Sequence, residues 1–110
     1  MLSWVDVYRS LWRLASKRRG RLGDAFLDEV ESYLAEALEV LAGWRPAISE
    51  CRWIPSLARE LRILSRILSS DVMLEAREYG LESSRVEKIL MLLRRLEAEA
   101  DRLASTCKNS

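Results

Sequence analysis

The chain has 110 residues, of which 49% are hydrophobic and 32% charged, with a net charge of +1. This length holds one domain around one core, and this composition excludes a disordered tail and a polycation built to coat nucleic acid. No apolar run approaches the roughly 20 residues that span a bilayer, and residues 1–9 lack the pattern of a signal peptide, so no membrane and a cytoplasmic location are expected. Histidine is absent, which removes the commonest general base and the commonest metal ligand together.

Charge is blocked along the chain. Residues 1–23 carry Arg9, Arg13, Lys17, Arg18, Arg19 and Arg21 against Asp6 alone, whereas residues 24–43 carry Asp24, Asp28, Glu29, Glu31, Glu36 and Glu39 without a base. Neighbouring elements of opposite sign can pair inside the fold or present separate patches. Fifteen arginines stand against three lysines, glutamine is absent and Asn109 is the single asparagine. That bias suits a protein from a thermophile, although genomic base composition alone could produce the excess of arginine. Cys51 and Cys107 cannot make a zinc site by themselves, and two unlinked thiols are expected, with a disulfide as the alternative.

Taken in order, the elements are all helical. A first helix, about 3–18, places Trp4, Val5, Tyr8, Leu11, Trp12 and Ala15 on one face and ends in cations that complement its dipole. A second, about 25–42, follows Asp24 as N-cap and repeats Phe26, Val30, Tyr33, Leu34, Ala37, Leu38 and Leu41. Residues 43–55 hold two prolines and two tryptophans and read as a connection with room for one helical turn, Trp44 and Trp53 folding back over the core.

The third helix, about 57–79, is capped by Ser56 and buries Leu57, Leu61, Leu64, Leu68 and Val72; Ile63, Ile67 and Leu74 form a second, rotated face. Gly80 is its stop. A fourth helix, about 85–104, opens on the capping-box spacing from Ser84 to Glu87 and carries Val86, Ile89, Leu90, Leu93, Leu96, Ala100 and Leu103, with Met91 and Leu92 off that face. The expected fold is all-α, a four-helix bundle-like domain with a long third helix, spanning residues 1–105 with a tail at 106–110.

No nucleotide-binding, nucleophile-elbow or metalloprotease motif is present. The acidic pairs Asp24/Asp28 and Glu75/Glu78 read as solvated surface charge. The expectation is therefore no enzyme, no catalytic residue, no metal, no cofactor and no small-molecule substrate. Two surfaces remain as candidates. Lys17, Arg18, Arg19 and Arg21 are candidate phosphate contacts, weighed against neutralising the end of the first helix. Ile63, Ile67, Leu74, Met91 and Leu92 are a candidate interface, because an apolar surplus on two faces of a helix suits a neighbouring chain.

Residues 8–34, YRSLWRLASKRRGRLGDAFLDEVESYL, resemble the start of the α-helical domain of archaeal GINS subunits, and 57–81, LARELRILSRILSSDVMLEAREYGL, resembles the long helix of that family. The stretch from Ala25 to Leu34 fills the place of the family's second-helix motif, while Glu78-Tyr79-Gly80 departs from its expected continuation after Arg77. GINS subunits normally add a small β-rich domain, so this chain would be an isolated helical domain, a divergent or reduced subunit, or a different helical protein. The resemblance implies a non-enzymatic, oligomeric component of the DNA replication machinery with protein partners or self-association, nucleic-acid contact being weak or indirect. The alternative is a nucleic-acid-binding helical subunit, such as the small subunit of a CRISPR effector complex.

Overall fold

The computed structural model describes residues 4–16 and 23–108. Among them run four α-helices, α1 (Trp4–Ser16), α2 (Gly23–Ala42), α3 (Ile54–Tyr79) and α4 (Ser83–Lys108), with a short 3₁₀ helix at Ile48–Arg52. The expected all-α bundle with a long third helix is therefore what the chain forms. At 1.5 Å rise per residue the 26 residues of α3 extend about 39 Å, and the molecule measures 47 × 21 × 20 Å. Helices α3 and α4 form the main antiparallel pair, α2 packs beside α4, and α1 closes the ring between α2 and α3. Helices α2 and α3 sit diagonally and touch least among these pairs.

The core follows the periodicity. Leu11 of α1, Phe26, Leu27, Val30, Leu34 and Leu41 of α2, Leu57, Leu61, Leu64, Leu68 and Val72 of α3, and Ile89, Leu93, Leu96 and Leu103 of α4 are all buried. Val5, Tyr8, Trp12 and Ala15 of the predicted α1 face are half-buried; the Trp4 side chain lies outside the described ones. Trp44 and Trp53 do fold back on the core and stack on one another, with ring centroids 5.8 Å apart.

Several helix ends differ from the sequence expectation. Helix α3 begins at Ile54, with Trp53 rather than Ser56 as N-cap and Pro55 inside the first turn, where a missing N–H costs nothing. Helix α2 begins at Gly23, whose φ of +55° only glycine adopts without strain. Asp24 is not its cap, because its carboxylate is drawn outward to Arg85 at 3.0 Å; the Gly23 N–H faces Glu75 Oε2 of α3 at 3.4 Å instead. Helix α4 starts at Ser83, so Ser84 is already helical and its hydroxyl bonds Glu82 rather than a backbone amide. At its other end α4 runs to Lys108, which makes residues 106–108 of the expected tail helical. Gly80 is the stop for α3, left-handed at φ +58°, with its N–H bonded to the Ala76 carbonyl.

Cys51 and Cys107 are disulfide-bonded, with Cα atoms 5.2 Å apart. The expectation of two unlinked thiols is thereby overturned. The 3₁₀ turn brings Cys51 against the last turns of α4, a juxtaposition that a separation of 56 residues hides. The same end of the bundle is tied by Arg102 of α4, which donates to Leu41 O at 2.7 Å and is held by Glu99 at 2.8 Å. Helix α2 has no base in its own last turn, so Arg102 supplies from another helix the positive charge its C-terminus favours.

Candidate functional site

The α3 helix has two working faces. Its inner one is the core stripe. On the outer one, Ile63 is 43% exposed and Leu74 46%, with Ile67 half-buried between them. These three lie within a longer row, Ser56, Glu60, Ile63, Ile67, Ser70 and Leu74, whose steps of four and three residues repeat as in a coiled-coil seam. Beside it runs a second row, Arg59, Arg66 and Arg77, spaced by close to whole helical turns. All three arginines are exposed, and none forms an ion pair among the described residues. Arg62, by contrast, is taken by Asp101 of α4.

The other two interface candidates do not join this face. Leu92 packs against the core. Met91 is 58% exposed, but on α4, one residue from Leu92 and therefore about 100° around the helix. Ile63, Ile67 and Leu74 are thus brought into one row, while Met91 stands apart and Leu92 is partly buried against the core. Lys17, Arg18, Arg19 and Arg21 lie outside the described residues.

Of the acidic pairs, Asp24 and Asp28 are largely exposed yet tie α2 to α4. Arg85 of α4 donates to Asp24 and to Asp28, and Lys88 meets Glu31 at 2.8 Å, so α4 is clamped along the acidic flank of α2. The Asp28 hydrogen bond raises the Arg85 pKa above its ordinary value, against a smaller opposing effect of burial. Asp24 and Asp28 are therefore charge partners of one guanidinium. Among the described residues no group of three or more acidic or cysteine side chains is placed to hold a metal ion, and no helix is long and apolar enough to cross a membrane.

At the start of the outer row lies a feature that sequence reasoning missed. Tyr8 of α1, Trp53, and Ser56, Leu57 and Glu60 of α3 line an open cavity of about 470 Å³. The Tyr8 hydroxyl donates to Glu60 Oε2 at 2.5 Å, a charge-assisted bond that fixes the carboxylate at the cavity wall. That bond, with burial adding to it, raises the Tyr8 pKa above its ordinary value, while Trp12 works weakly the other way. The partners are 52 residues apart in sequence; the one signal available was that Ser56 and Glu60 continue the spacing of Ile63 and Ile67.

With that geometry in place, comparison with known proteins adds no relative. No protein-family model, curated protein or solved structure matches the chain. The functional reading therefore rests on the outer face itself. That face carries apolar side chains at seam spacing, a flanking row of charge and a polar notch at one end, the features on which a helix can dock.

Proposed function

We propose that this chain is a non-enzymatic helical protein–protein interaction module whose α3 outer face receives a helix of another chain. The observation that carries this is the exposure of Ile63 and Leu74 on one row with Ile67. Large aliphatic side chains at seam spacing lose their contact with water when a second helix packs on them, at about 25 cal/mol per Å² of apolar area. The unpaired row Arg59, Arg66 and Arg77 favours an acidic partner. A symmetric antiparallel pairing of α3 with its own copy would set both arginine rows on one flank, where like charges repel. An acidic amphipathic helix avoids that repulsion.

Within this reading the most specific role is the one the GINS resemblance implies, a component of the archaeal DNA replication machinery. A related helical subunit would then be the partner. A cytoplasmic location belongs to this reading, and the Cys51–Cys107 disulfide is compatible with it only in the way the intracellular disulfides of hyperthermophiles are. A second reading, the nucleic-acid-binding helical subunit, draws on the same exposed arginine row.

The test uses a fluorescent peptide with the sequence of residues 21–43, which is acidic and amphipathic and carries one base, Arg21, near its end. Its anisotropy should rise saturably with the full chain and stay flat with an Ile63→Asp/Leu74→Asp variant whose helicity is intact. No saturable binding, or equal binding to the variant, refutes the docking face. Light scattering gives a second readout: a mass above the 12.7 kDa monomer, lost in the same variant, would identify another copy as the occupant of this face.

A further inference from the structure

We infer that the notch framed by Tyr8, Trp53, Ser56 and Glu60 receives the cationic head of a lysine or arginine side chain carried by the docked helix, and so sets its register. This rests on the docking reading above and specifies the partner further. The cavity, about 470 Å³, falls within the range of roughly 300–1,000 Å³ that takes small organic groups. Its walls pair two aromatic rings with a carboxylate, and both elements attract a cation: the ring faces through their quadrupole, the carboxylate through charge.

Glu60 decides the sign of the ligand. Its Oε2 already accepts from Tyr8, which leaves Oε1 as the oxygen an incoming ammonium or guanidinium would meet. Arg9 and Arg59 adjoin Tyr8 and Glu60 in sequence, yet neither forms an ion pair with Glu60 among the described residues. An aliphatic side chain placed over Glu60 would strip water from the carboxylate and return nothing, and an acidic one would be repelled. A basic side chain satisfies it.

Position gives the pocket its consequence. Ser56 and Glu60 are the first two steps of the row that continues through Ile63, Ile67, Ser70 and Leu74, so the notch is where a docked helix presents one of its own seam residues. A single polar seam position fixes register and orientation in paired helices. The arginine row runs on one flank of the seam and Glu60 is turned about 100° from Arg59. A partner matching both carries acids along one edge and a single base at the end of its apolar stripe. Slipping that helix by one heptad would leave Glu60 covered and unpaired.

The experiment titrates N-acetyl-arginine amide, and its neutral counterpart N-acetyl-citrulline amide, into the full chain while following the Trp53 indole N–H by NMR. The arginine amide should shift that resonance saturably and the citrulline amide should not. Glu60→Gln should weaken the arginine amide at least about fivefold. An equal response to both amides, or no effect of Glu60→Gln, overturns the inference. The wild-type comparison of charged with neutral probe keeps the test decisive if the variant folds poorly. Repeating the titration on Ile63→Asp/Leu74→Asp separates the two readings. Amide binding with no helix docking to the wild type upholds the notch and refutes the docked helix as its source; docking without amide binding does the reverse.

Discussion

Opening the Cys51–Cys107 link is the perturbation with the largest calculable effect. The bond closes a loop between residues 56 apart. Chain-entropy reasoning for a loop of that size gives an unfolded-state entropy loss of about 14 cal/mol/K, or about 4 kcal/mol at 25 °C. An unfolding entropy of about 2.1 cal/mol/K per residue over 110 residues converts this to a fall in Tm of about 18 °C. Guanidinium denaturation of the wild type and of Cys51→Ser/Cys107→Ser, followed by far-UV circular dichroism, measures the difference. Reduced wild type should unfold with the double variant, since both lack the same cross-link, and alkylation of the unreduced, denatured chain should label neither cysteine. A loss below about 1 kcal/mol would refute the reasoning. It would mean that the loop is already closed in the unfolded ensemble, or that the thiols are not joined in solution.

The remaining predictions use the same denaturation assay or a binding titration. Leu64→Ala, at a fully buried inner-face position, should cost about 3 kcal/mol, whereas Ile63→Ala on the outer face should cost under about 0.5 kcal/mol; equal losses would place Ile63 in a core. Tyr8 has a raised pKa in the fold, so its stabilising effect is present below the unfolded value near 10 and is lost as pH rises through the higher folded value. Tyr8→Phe should therefore flatten the alkaline limb of the stability curve, and an unchanged limb would remove the Tyr8–Glu60 bond as its source. Under the docking reading the chain should show no measurable affinity for duplex DNA at ~50 mM salt. Salt-sensitive binding that falls when Lys17, Arg18, Arg19 and Arg21 become Ala would favour the nucleic-acid alternative instead.

Most of the fold was legible because helical periodicity is a local signal. The inner stripe of α3, from Leu57 to Val72, could be read directly, and so could the stop at Gly80, since left-handed backbone there calls for glycine. Helix starts were less legible. Pro55 looks like a boundary yet is compatible with a first turn, and Ser84 with Glu87 has capping-box spacing yet sits inside α4. Met91 and Leu92 both fall off the predicted stripe, yet neighbours in sequence point about 100° apart on a helix, so Leu92 packs against the core while Met91 is exposed. What could not be read were contacts made by the closed ring of helices: the disulfide, the reach of Arg102 to the end of α2, and the Tyr8–Glu60 pair. Each joins residues more than fifty positions apart, and no spacing rule links them.

The near-zero net charge conceals an uneven internal settlement, and this bears on what the outer face is for. On the α2 side, Asp24, Asp28 and Glu31 are answered by Arg85 and Lys88 of α4. On the α3 side, Arg62 is answered by Asp101, but Arg59, Arg66 and Arg77 are answered by nothing among the described residues. Because α2 and α3 are diagonal, the acids of the first cannot fold over to the arginines of the second within one chain. A row of like charges beside half-exposed isoleucine and leucine is poor design for a surface that only meets water, since it adds self-repulsion without covering the apolar row. Across an interface the same row acts differently. Under the docking reading it would disfavour a symmetric antiparallel α3 pair, favour an acidic helix and, with Glu60 inverting the sign at one end, distinguish that helix from its reverse.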